Sequence, residues 1–319
     1  MVSVNSMTPV DAISLVIQEQ IAELRITDYP ILNLIRKDSA YQSAIKWDVN
    51  VSTDATQGSA VNADAPAASS DTVRGANLPI GIYAFRETFD LLKTDIRQAR
   101  TAAPSALKNL IAAQTRSKIL KIMKGHNLAL YVGAGEQVRG GIYGLDTIAS
   151  STATYAGINP ATAGNEAWIG HAEDTVGALT ADKMDSAAEA MYTLGSNFTH
   201  IVTTPTIVTK YKKLFRDNHM TAGNVAGTAD IGFTGVTYEG RPVIQDRDCP
   251  EGAMYFVDEP QLSLHTYAVD GVQTMRGLNV VIAELPSNSS LAVRFEVAVI
   301  SQLQAFDRRA VAKLGDITG

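Results

Sequence analysis

Cysteine occurs once in the 319 residues, at position 249, so no intramolecular disulfide framework can hold this chain together. Cys249 precedes Pro250 in an apparent turn and is expected to be a bystander. Long apolar runs are absent too: nothing approaches the roughly 20 residues that cross a bilayer. Nor does a basic-then-apolar signal pattern open the chain. The expectation is therefore no membrane contact, with synthesis and use in the cytoplasm at least until assembly. Basic charge is in deficit, at a net −6, so the chain as a whole is not built to condense on nucleic acid, and any polyanion contact must be local. The five histidines, at 126, 171, 200, 219 and 265, are scattered with no second histidine or cysteine at ligand spacing, which speaks against a metal site. Walker loops, Gly-x-Ser-x-Gly elbows and His-Glu-x-x-His helices are all missing.

What is present has ordinary globular composition, 45% apolar and 19% charged, enough for one large or two modest domains. The most informative stretch is 44–89. Ile45, Trp47, Val49 and Val51 alternate with Lys46, Asp48, Asn50 and Ser52, the period-two pattern of a half-buried strand. A return limb, Leu78, Ile80, Ile82 and Ala84 against Pro79, Gly81, Tyr83 and Phe85, is expected to run on to Phe89. Between them, residues 53–71 contain one sizeable apolar side chain, Val61. Such a long tip without a core points to a segment with a partner or to disorder. A lone hairpin is marginal in water, so the face bearing Trp47 must lie on something else. At about 3.3 Å per residue each limb reaches about 30 Å, which suggests an arm that touches another subunit.

Before the hairpin, Thr8-Pro9-Val10-Asp11 reads as a helix start followed by Ile13, Ile17, Ile21 and Leu24 on one face. A shorter apolar segment follows at 31–35. These pieces form either an N-terminal arm or a cap on the core of their own subunit.

After the hairpin, good helix formers fill 104–124, with Pro104 at the start and Gly125-His126-Asn127 as the expected stop. The apolar face drifts from Leu107, Leu110 and Ile111 to Ile119, Ile122 and Met123, as in a helix crossing more than one neighbour. Between 93 and 124 eight basic side chains face Asp95 alone, whereas between 48 and 78 Asp48, Asp54, Asp64 and Asp71 face only Arg74. Opposite signs invite contact between copies, with Trp47, Asp54, Asp64, Asp71 and Arg74 on the arm meeting Lys108, Arg116 and Lys118. Taken singly, each charge has a plainer reading as a solvated face position.

An apolar strand is expected at 128–132, leading into Gly133-Ala-Gly135. That start resembles a dinucleotide loop, but Val138 takes the third glycine's place and Arg139-Gly140-Gly141 would break the required helix. A turn between domains is the better reading. The remainder reads as α/β: helices at 180–194 and from Pro205 to Phe215, strands at 200–204, 235–239, 242–246, 253–257 and 262–267, and a long strand at 291–300 running on towards Phe306. Neither His171-Ala172-Glu173-Asp174, read as an exposed loop, nor Asp246-Arg247-Asp248 beside Cys249 supplies a catalytic arrangement, so no enzyme activity and no cofactor are expected.

Gly140-Gly141-Ile142-Tyr143-Gly144-Leu145, Thr203-Thr204-Pro205-Thr206, Gly232-Phe233-Thr234-Gly235, Tyr238-Glu239-Gly240-Arg241-Pro242-Val243 and Pro250-Glu251-Gly252-Ala253-Met254-Tyr255-Phe256 follow in order after the helical arm, acidic hairpin and spine helix. In that order the chain resembles the tailed-bacteriophage major capsid proteins of the Hong Kong 97-like fold. The resemblance implies an α+β architecture: N-terminal arm 1–43, extended β-hairpin loop 44–89, peripheral domain 90–129 with the spine helix and 276–319, and α/β axial domain 130–275. It implies hexamers and pentamers that close an icosahedral shell around double-stranded DNA, in a virion. Separate scaffold, portal and cement proteins are conceivable partners. Two departures stand out. Only a short arm precedes the hairpin, and no lysine lies between Lys46 and Lys93 to link subunits covalently. An encapsulin-type compartment is the rival reading, and a dinucleotide enzyme a remote one.

Overall fold

Along the strands of the largest sheet, successive apolar side chains belong to two different cores. Ile201, Val243, Met254, Phe256, Ala312 and Leu314 pack in one, and their neighbours Val202, Ile244, Tyr255, Val257 and Val311 pack in the other. A strand buried on both faces reads this way, as a continuous apolar run. The computed structural model describes residues 29–51, 73–102, 104–214, 236–267, 273–275, 278–285 and 291–318. The helix expected at 8–24, the hairpin tip 53–71, Phe215 and Gly232-Phe233-Thr234-Gly235 lie outside them.

In chain order the elements are α1 (Pro30–Leu34), β1 (Arg36–Ala40), β2 (Ala44–Asn50), β3 (Val73–Pro79), β4 (Phe85–Leu92), α2 (Lys93–Ala102), α3 (Pro104–Val132), α4 (Leu145–Ala149), β5 (His171–Glu173), β6 (Gly177–Ala178), α5 (Ala181–Thr193), β7 (His200–Thr203) and α6 (Pro205–Leu214). There follow β8 (Val236–Tyr238), β9 (Arg241–Gln245), β10 (Met254–Val257), β11 (Leu262–Tyr267), β12 (Gln273–Met275), β13 (Leu278–Leu285), β14 (Ala292–Val299), β15 (Ser301–Ala305), β16 (Val311–Leu314) and β17 (Ile317–Thr318).

Six strands in the order β5-β16-β10-β7-β9-β8 form the large sheet, with α5 and α6 on one face. Thr180 caps α5 by accepting from the Lys183 amide, as its position in the sequence suggests. A second sheet, β12-β13-β14-β4, lies under α3, whose Ile119, Ile122 and Met123 join Phe89, Val297 and Val299 in a common core. A third, β1-β11-β15, and the β2-β3 hairpin complete the body. Residues 276–319 therefore contribute strands to several sheets: β13 and β14 lie under α3, whereas β16 enters the large sheet between β5 and β10.

The structure corrects the sequence reading at five places. Gly125-His126-Asn127 does not stop the spine, because α3 runs 29 residues to Val132 and absorbs the strand expected at 128–132. Gly125 lies beside the Phe85 ring, where a Cβ would meet it at an ordinary contact distance of 3.5 Å. The return limb is not continuous to Phe89; the chain bends at Gly81, which has a φ of 93° open chiefly to glycine, and β4 joins another sheet. The stretch at His171, expected to be an exposed loop, is strand β5, pairing in parallel with β16. The final strand likewise changes sheet at Ile300, with β14 pairing to β4 and β15 to β11.

Candidate assembly surfaces

Alternation in β2 puts Ile45, Trp47 and Val49 on one face, and that face rests on the chain's own core. The Trp47 indole Nε1 donates to the Phe306 carbonyl at 3.2 Å. Opposite Val49 in the register, Arg74 donates from Nε to Asn165 Oδ1 at 3.1 Å. The Asn77 amide donates to the Ala156 carbonyl at 2.8 Å, and Val51, Ala76 and Leu78 are buried. Trp47 and Arg74, expected where copies meet, thus have anchoring partners within their own chain. Asp54, Asp64 and Asp71 lie outside the described residues.

On the spine, charge is partly internal. Lys118 and Lys121 both reach Glu87 of β4, at 3.6 and 2.5 Å. Arg116 is exposed on the same helix, and Lys108 lies one to two turns from the helix start. The outer face of the second sheet carries further pairs, the bidentate Arg294–Asp90 at 2.7 Å and Arg86–Glu296 at 3.6 Å. These are solvent-facing and each contributes little.

The strongest positioning groups are buried polar side chains that sequence reading missed. Gln302 is almost fully buried; its amide donates to the carbonyls of Pro79 and Gly141, at 3.1 and 2.9 Å, and accepts from the amides of Tyr143 and Leu303. One side chain thereby clamps the hairpin base, the glycine-rich loop and β15. Arg308 has no accessible surface and donates to the carbonyls of Thr147, Ile148 and Ser150, at the C-terminal end of α4, and to that of Trp168 in the segment before β5. Burial pulls its guanidinium down to about 10. A third tie joins α3 to the large sheet: Asp246, 1% exposed, accepts from Tyr131 Oη at 2.8 Å and Asn127 Nδ2 at 3.1 Å. No sequence motif marks Gln302 or Arg308, and Asp246, noted in the sequence only beside Cys249, gives no sign of this tie, because the elements that each one joins lie more than a hundred positions away.

Chemistry of other kinds finds no footing among the described residues. Gly133 follows a helix, not a strand, and the amides around it are already committed: Gly133 to Ala129, Gly135 to Ile142 and Gly144 to Gly133. No cradle of free amides remains for a phosphate. Cys249 is 4% exposed, and burial, then the carboxylates of Asp246 and Asp146, push its thiol well up, the inert kind of cysteine. No group of three or more His, Cys, Asp or Glu side chains is placed to hold a metal among the described residues.

The fold is that of the Hong Kong 97-like capsid proteins. The chain is similar to a protein of the cyanophage A-1(L) capsid asymmetric unit, with a TM-score of 0.78 at 24% identity over 94% of this chain and 96% of that one. It is similar also to the capsid of a native GTA particle, with a TM-score of 0.63 at 14% identity and 94% of each chain covered. The SrpI encapsulin of Synechococcus elongatus PCC 7942 gives 0.61 at 13% identity, covering 98% of this chain and 96% of that one, a likeness of fold alone. No curated protein matches the sequence significantly. The family model of the SU10 major capsid protein matches residues 4–280, nearly the whole chain. With that match over more than half of its residues, the chain belongs to the SU10 major capsid protein family: it is a structural shell protein of a phage capsid that self-assembles, not an enzyme.

Proposed function

We propose that copies of this chain associate as hexamers and pentamers and close into an icosahedral shell around double-stranded DNA. The family match over residues 4–280 carries this reading. The hairpin supports it: its base is fastened to its own chain by Trp47, Arg74 and Asn77, a rigid mount for a tip, 53–71, that has almost no apolar surface of its own to bury. In this reading 1–43 is an arm, 44–89 the extended loop, 90–129 and 276–319 the peripheral domain and 130–275 the axial domain. Asp54, Asp64 and Asp71 of one copy meet Lys108, Arg116 or Lys118 of the next. Assembly takes place in the host cytoplasm. Separate scaffold, portal and cement proteins act with the chain, and DNA is met through local basic surface only, given the net charge of −6.

The test is electron microscopy of the purified protein at high concentration, together with nuclease digestion of particles recovered from infected or expressing cells. Closed shells with protected DNA are expected in the infected cells. Shells that enclose a protein cargo instead would move the chain to the encapsulin side of the fold.

A further inference from the structure

Helix α5 is polarised in charge across its width. Met184, Ala187 and Met191 are buried, while Asp182, Asp185, Glu189 and Tyr192 are exposed at i, i+3, i+7 and i+10, a single stripe in which Asp185 already accepts from Tyr238 Oη of β8. Its one lysine, Lys183, is turned aside and paired with Glu173. Neither Asp182 nor Glu189 has an ion-pair partner among the described residues. Helix α6 is the reverse: it has no acidic residue, and Lys212, Lys213 and Leu214 are exposed at its end beside half-buried Lys210.

Helix dipoles explain part of this, since Asp182 stands in the first turn of α5 and the lysines in the last turn of α6. They do not explain Glu189, which lies in the C-terminal half of α5, where the dipole disfavours a carboxylate. Nor do they explain Tyr192, 75% exposed at the end of the acidic stripe. The two helices share one face of the large sheet but sit apart on it. α5 packs on β5 and β16 towards one edge, and α6 on β9 towards the other.

We propose that the acidic face of α5 in one copy docks on the basic face of α6 in a neighbouring copy. The charges are complementary, and Tyr192 and Leu214, 43% exposed, supply apolar contact at the ends of the two faces. Because the paired surfaces differ, the contact is head-to-tail, and a rotation that closes generates a ring. This rests on the self-assembly reading and deepens it by naming the surfaces.

Two reversals test it, Asp182→Lys with Glu189→Lys, and Lys212→Glu with Lys213→Glu. Each is expected to raise the protein concentration needed for half-assembly about tenfold or more at low salt, equivalent to about 1.4 kcal/mol. Combining all four in one chain restores assembly, whereas mixing the two reversed proteins restores only even-numbered rings, in which each offers the other an opposite face, and not five-membered ones. Urea melts of the unassembled chains separate misfolding from mis-assembly; should a reversal fail to fold, Glu189→Gln and Lys213→Gln are expected to shift assembly in the same direction. Folded reversals that assemble like the wild type, or a combined variant that does not recover, overturn this contact and leave the capsid reading standing. A wild-type protein that forms no particle even in infected cells overturns the shell reading as well.

Discussion

The His126 imidazole Nε2 lies 2.6 Å from Ser301 Oγ, and both groups are buried. The contact joins the last third of the spine to the first residue of β15, just past the point at which the chain leaves one sheet for another. Burial, with the nearby Lys37 ammonium adding to it, holds this histidine down to about 4. Its Nδ1 has no hydrogen-bond partner, so a proton added there would be stranded.

The fold should therefore lose stability in mild acid. The unfolded chain takes up this proton near pH 6.5, the folded one only near 4, so the unfolded state binds more protons across that window and stability falls as pH drops through it. The loss approaches about 3 kcal/mol by pH 4. Urea melts of the unassembled chain at pH 7, 6, 5 and 4 measure it. His126→Gln should flatten the dependence relative to wild type, and an identical slope in the two would refute the assignment.

Arg308 should tolerate no replacement. Arg308→Ala takes the guanidinium from four carbonyls, of which only that of Ser150 keeps another donor among the described residues, the Gly170 amide, and a loss of about 3–5 kcal/mol is expected. Lysine, a point charge without the planar fork, should recover only part of it. Denaturant midpoints within experimental error of wild type would show that water replaces the side chain at no cost.

Gly125 offers a test of opposite sign. It stands inside α3, and a Cβ there meets Phe85 at ordinary contact distance, 3.5 Å. Gly125→Ala should then stabilise the chain by about 0.5–1 kcal/mol. Were this residue the left-handed helix stop that its neighbours suggest, the same change would destabilise it.

Deleting residues 57–70 should leave the cooperative melt of the unassembled chain nearly unchanged and abolish or misdirect shells. The buried hairpin residues Val51, Ala76 and Leu78 all lie outside the deletion. A large fall in chain stability would mean that the tip packs on its own subunit.

Shells should carry no covalent lock. The hairpin offers no lysine between Lys46 and Lys93, and Cys249 is buried. Boiling mature particles in denaturing detergent, with or without reductant, should release one band near 34.0 kDa. A ladder that survives reductant would point to a linking lysine elsewhere, with Lys46 the first to mutate.

Much of this architecture was legible because it is written in periodicity. Strand β2, the Thr180 cap, the Pro205 helix start and the alternation of β14 are local patterns, and each forms where the pattern stands. The failures have one physical cause. Gly125-His126-Asn127 looks like a helix end until Phe85 fills the space beside the glycine and Asp246 and Asp248 accept from the Asn127 amide. Ala129, Leu130 and Tyr131 look like a strand because a fully buried helix end is apolar all round. For the candidate surfaces, the charge contrast was readable. What the sequence could not reveal is that Trp47, Arg74 and Lys118 already have partners at home, since those partners lie dozens to hundreds of positions away.

Strand β16 stands between β5 and β10, parallel to the first and antiparallel to the second. Until residues 311–314 have left the ribosome, the large sheet is therefore in two pieces, each with an unpaired edge. The α5 surface lies over the β5 and β16 end and the α6 surface over β9, so the two docking faces take up their final spacing only once β16 has entered the sheet. A chain that still lacks β16 cannot hold both faces at that spacing for a neighbour.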